Sequence, residues 1–96
     1  MNNIMKLRLG KTSFYIRADG DFEQKLSVAQ VILQSLSGVR EDDVLSIRSI
    51  SGVVVALLLG KDAVSRIFDG ESPRSDQLVD VINTVLKEYR RTVFGE

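Results

Sequence analysis

Two short stretches of strict alternation around a glycine restrict this chain more than any other feature. Met5-Lys6-Leu7-Arg8-Leu9 is apolar at the odd positions and basic at the even ones. That is the period of a strand with one buried face. Gly10-Lys11 follows, with glycine at the first central position of a two-residue turn, where a type II′ turn needs it. Thr12-Ser13-Phe14-Tyr15-Ile16-Arg17 then returns. A turn at 10–11 pairs Leu9 with Thr12, Leu7 with Phe14 and Met5 with Ile16, so both strands put their apolar residues on one face. Lys6 then faces Tyr15, and Arg8 faces Ser13, on the other. A slip of one residue would set the apolar face of one strand beside the polar face of the other, so the pattern and the turn fix one register together.

The first helix is expected from about Phe22 to Ser37. Asp21 stands as its N-cap, and Gln24 three residues on suggests a capping box. Phe22, Leu26, Ala29, Leu33 and Leu36 recur at helical spacing, widened by Val28 and Ile32. Gly38 is positioned for a left-handed C-terminal cap. Arg40-Glu41-Asp42-Asp43 reads as a polar connector.

Val44–Ile50 and Val53–Leu59 read as two further strands, with Ser51-Gly52 as the turn between them. The second run is apolar throughout, as a central strand buried on both faces would be. A buried helical segment gives the same pattern, and the β-branched run Val53-Val54-Val55 favours the strand. A short helix is expected over Ala63–Phe68 after Asp62. A last one is expected over about Pro73–Val93, opened by Ser72-Pro73. The expected order is therefore β-β-α-β-β-α-α. It describes a single α+β domain over residues 1–96: two layers, a four-stranded antiparallel sheet of two hairpins, and helices on one face.

Composition limits the chemistry. The 96 residues contain no Cys and no His, and 13 basic residues balance 13 acidic ones. Thiolate nucleophiles, zinc fingers, iron–sulfur clusters and His-dependent triads are excluded. No metal site and no cofactor are expected. Gly10-Lys11-Thr12 resembles the end of a phosphate-binding loop, but the earlier glycine of that motif is replaced by Met5 and a strand follows instead of a helix. Glu41, Asp42 and Asp43 lack calcium-loop spacing. Ser49, Ser51 and Ser65 have no His to activate them, and Lys61 beside Ser65 carries no nucleophile-elbow pattern. The longest apolar run, Val53–Leu59, is far short of the roughly 20 residues of a membrane-spanning helix. The N-terminus lacks the apolar core of a signal peptide, so a cytoplasmic protein is expected.

Two surfaces remain as candidates. The outward face of the hairpin would carry Lys6, Arg8, Tyr15 and Arg17, with Lys11 at the turn. Arg and Tyr are favoured anchors of protein interfaces, and basic side chains around an aromatic also suit phosphates and bases. The same charges would equally keep an exposed sheet soluble. The second surface is the last helix, whose apolar positions span about 160° at 100° per residue. Val79, Leu86 and Val93 fall on one edge of that arc. They are the candidates for contact with a second copy, unless Val64, Ile67 and Phe68 of the short helix cover them. The expected function is thus a non-enzymatic protein-interaction module that associates with itself and an unidentified protein partner. The alternative is a nucleic-acid or polyanion-binding module that uses the basic hairpin.

Overall fold

A computed structural model describes residues 3–40 and 42–95. Glu41 of the acidic run and the first two residues of the N-terminus lie outside the described residues. Strands β1 (Ile4–Leu9) and β2 (Thr12–Arg17) form an antiparallel hairpin. They pair in the expected register: Met5 with Ile16, Lys6 with Tyr15, Leu7 with Phe14, Arg8 with Ser13 and Leu9 with Thr12. Gly10 adopts a φ of 62°, the left-handed value that a II′ turn demands of its first central residue. A Cβ there would also stand 2.9 Å from the carbonyl oxygen of Ile67, so the turn is pressed against the chain below it.

Helix α1 spans Gly20–Gln34 and passes into a short 3₁₀ turn at Ser35–Gly38. Its N-cap is Asp19 rather than Asp21: the Asp19 carboxylate accepts from the amide of Phe22 at 3.1 Å. Asp21 and Glu23 instead occupy the first turn, where acidic groups favour the helix dipole. Phe22, Leu26 and Ala29 are buried as expected, but Val28 is exposed, and Gly38 is not left-handed.

The expected four-stranded sheet does not form. The sheet has two strands, and the segment read as a second hairpin is one helix, α2 (Val44–Leu59). The order is β-β-α-α-α-α among the described residues, still α+β but with most of the core supplied by helices. The reason is local at the start and tertiary thereafter. Asp43 caps α2, accepting from the amide of Ser46 at 3.2 Å and from its hydroxyl at 2.8 Å. Sixteen residues then continue without proline, and the buried ones, Ser51, Val54, Val55 and Leu58, recur at helical spacing. A helix satisfies its backbone internally, so α2 can be surrounded by α1, α3 and α4 without strand partners on either edge. That requirement overrides the β-preference of three consecutive valines.

Helix α3 (Ala63–Ile67) and helix α4 (Ser75–Phe94) complete the chain. Helix α4 starts two residues after the expected Pro73: Arg74 is its N-cap residue, and its amide donates to the Gln77 side chain at 2.8 Å. Leu78, Val81, Ile82 and Val85 are buried and join Met5, Leu7, Leu9, Phe14, Phe22, Leu26 and the buried face of α2 in one apolar cluster.

Ser51 is the one polar side chain in that buried set, fully enclosed, and its hydroxyl has no hydrogen-bond partner among the described residues. A buried unpaired hydroxyl carries a desolvation cost that alanine avoids. Ser51→Ala is therefore expected to raise stability, by up to about 1 kcal/mol, read as a shift of the urea midpoint. A lower midpoint would mean that the hydroxyl has a partner.

Candidate functional site

The register brings the hairpin candidates together. Lys6, Arg8, Tyr15 and Arg17 share the outward face, and Lys11 lies exposed at the turn. Their inward neighbours hold them in place: Met5, Leu7 and Phe14 are buried, so the strands cannot rotate without exposing core. Lys6 Nζ lies 5.8 Å from the centroid of the Tyr15 ring, within cation–π range. Lys6, Leu7, Arg8, Ser13 and Tyr15 line a shallow depression of about 290 Å³. Tyr15 is 66% exposed. No acidic residue stands on this face of either strand. The ion pairs among the described residues lie elsewhere, at Arg40–Asp42, Arg74–Asp76 and Arg91–Glu88. The four cations are thus available to a partner.

Sequence reasoning missed two features of this region. Ile4, opposite Arg17, adds an exposed apolar side chain to the basic face. The alternation extended back by one residue does not show it, because Ile4 breaks the polar half of the pattern. The second feature is a groove of about 400 Å³ along the end of β2. Its walls are Tyr15, Ile16 and Arg17 on the strand, the first turns of α1, and Leu58, Leu59 and Gly60 at the end of α2. Nothing local announces it, since it depends on α2 being a helix.

The hairpin is anchored from below by α3. The Thr12 hydroxyl donates to the carbonyl of Arg66 at 2.9 Å, and the Arg66 guanidinium sits 4.6 Å from the centroid of the Phe14 ring.

On the second surface, Val79, Leu86 and Val93 are half-buried. Leu86 packs against the core, and α2 packs against α4. Leu86 also lines a groove of about 260 Å³ with Leu26, Tyr89 and the exposed Phe94. Tyr89 ties α4 to α1: its ring lies 5.6 Å from that of Phe22, and its hydroxyl donates to Glu23 at 3.2 Å. Burial, reinforced by the Glu23 carboxylate, raises the Tyr89 pKa above the ordinary tyrosine value.

The residues weighed for catalysis stay apart or act structurally. Asp43 caps α2, Asp42 pairs with Arg40 at 3.1 Å, and Ser51 is enclosed in the core. No group of three acidic side chains converges among the described residues. No helix among them is long and apolar enough to cross a membrane. Compared with protein-family models, curated proteins and solved structures, the chain matches none.

Proposed function

We propose that the chain is a non-enzymatic protein-interaction module whose contact surface is the outward face of the hairpin. The observation that carries this reading is the gathering of Lys6, Arg8, Arg17 and the exposed Tyr15 on one rigid face that has no acidic residue of its own. Tyr and Arg supply most binding energy at protein interfaces, and a sheet face locked by its buried side presents them at little entropic cost. A polyanion is the alternative reading, favoured by the same three cations and by Lys11 at the turn. The zero net charge and the lone aromatic on this face speak for a protein. The cytoplasmic setting expected from the sequence belongs to the proposal, and localisation of the tagged full chain tests it.

A photo-cross-linking residue in place of Tyr15, in the whole chain, distinguishes the two partners. The expected adducts are protease-sensitive and nuclease-resistant, and they disappear in the Arg8→Glu, Arg17→Glu double variant while the melting temperature stays unchanged. Nuclease-sensitive adducts, with retention on a polyanion resin that falls steeply with salt, would transfer the function to the alternative.

Self-association is the second part of the reading. It is supported by the groove that holds Leu86 and by the 66% exposure of Phe94 beside it. Light scattering at tens of micromolar is expected to report a dimer that Phe94→Ser weakens. A particle of 10.7 kDa would remove this part and leave the hairpin reading intact.

A further inference from the structure

We propose that the free edge of β2 accepts an extended acidic segment of a partner protein as a third strand, an inference that rests on the protein-binding reading of the hairpin. The backbone geometry comes first. Beyond the strand ends the ladder continues with the amide of Ala18 donating to the carbonyl of Asn3 at 2.7 Å. In an antiparallel pair, hydrogen-bonded and non-hydrogen-bonded positions alternate. Counting inward from Asn3–Ala18, the bonded pairs are Met5–Ile16, Leu7–Phe14 and Leu9–Thr12. The remaining residues of β2, namely Ser13, Tyr15 and Arg17, direct their amides and carbonyls away from β1. Among the described residues the sheet has no strand on that side.

The groove borders the same part of β2. Tyr15, Ile16 and Arg17 all line it, although their side chains alternate between the two faces. Three consecutive strand residues bordering one groove is the pattern of a strand edge that forms its wall. The opposite walls, from α1 and the end of α2, leave room for an extended segment beside Tyr15 and Arg17. Addition of a peptide strand to such an edge gives affinity through the backbone and selectivity through alternate side chains.

The charges identify the occupant. A strand added beside β2 in register places every second side chain on the outward face, next to Tyr15 and Arg17 and one strand away from Lys6 and Arg8. Acidic side chains at those positions lie on the sheet face that carries Arg17, Lys6 and Arg8 and no carboxylate of either strand. The intervening side chains turn inward beside Ile16 and Leu59, which favours apolar residues. In the groove wall beyond the strand, Asp19 accepts from the Phe22 amide in capping α1, and Asp21 and Lys25 carry opposite charges. A second copy of this hairpin is a poorer occupant, because neither of its strands carries an acidic residue to meet Arg17, Lys6 and Arg8.

The probe is a short synthetic peptide that alternates glutamate with valine, added to the full chain. Amide hydrogen exchange is read at Tyr15 and Arg17, whose amides have no partner in the hairpin ladder. Both amides are expected to become protected, and Arg17→Gln is expected to weaken binding roughly fivefold, as loss of an exposed charge pair does. The same peptide N-methylated at its edge-facing amides keeps its charge but cannot pair, and it is expected not to bind. Equal binding of both peptides without protection at Tyr15 and Arg17 overturns strand addition and leaves the basic-face reading standing. Binding of neither peptide also overturns it, while cross-linking at Tyr15 decides the broader reading separately.

Discussion

Gly52→Pro is expected to unfold much of the chain, whereas Gly52→Ala is expected to stabilise it. Gly52 lies in the middle of α2 and does not take a left-handed φ. Nothing lies within 4 Å of where a Cβ would be, so alanine fits without displacing a neighbour. Alanine lowers the backbone entropy lost on folding, worth about 0.5–1 kcal/mol in a helix interior. Proline removes one helical hydrogen bond and forces its ring against the preceding turn, at about 3 kcal/mol or more. Domains of this size have only about 5–15 kcal/mol in total. Because α2 packs on α1, α3 and α4, a break in it spreads through the core. Urea denaturation followed by circular dichroism reads both variants. The turn reading of Ser51-Gly52 gives the opposite result for alanine, since a hairpin glycine there would need positive φ. A lower midpoint for Gly52→Ala would restore the second hairpin and remove α2.

The contrast between the two halves of the chain shows what was legible. In the hairpin, alternation and turn chemistry are both local and agree, so register, faces and the gathering of Lys6, Arg8, Tyr15 and Arg17 follow from residues 5–17 alone. In α2, periodicity is masked because apolar residues continue onto flanks that other helices cover or that stay exposed. Val53 is 56% exposed although it sits in the most apolar run of the chain. Its β-branched neighbours argued for strand, and the decisive signals were the cap at Asp43 and the sixteen-residue length. As a connector those residues mark no helix start, and the expected sheet gains two strands that the structure lacks. The same masking bears on α4: its broad apolar arc packs against α2 as well as β1, a helical neighbour that the strand reading of residues 44–59 omits. The groove beside β2 was out of reach for the same reason, since one of its walls is the end of α2.

Leu7→Ala and Lys6→Ala, adjacent substitutions in one strand, are expected to differ by several kcal/mol. Leu7 is 2% exposed and stands opposite Phe14, itself buried. Truncating it removes apolar contacts and leaves a cavity between the sheet and the helices, at about 2–5 kcal/mol. Lys6 points to solvent, and its only described partner is the Tyr15 ring at 5.8 Å. Its loss is expected to cost at most about 0.5–1 kcal/mol, the range for an exposed cation–π contact. The asymmetry follows from the strand period of two, which gives neighbouring residues opposite environments. It also guards the functional reading, because a register shifted by one residue would put Lys6 and Arg8 on the face of Phe14, and Leu7 on the face of Tyr15. Urea midpoints with unchanged slopes measure both variants on one scale. Comparable losses from the two would show that the outward face is not where the cations lie, and the proposed contact surface would go with it.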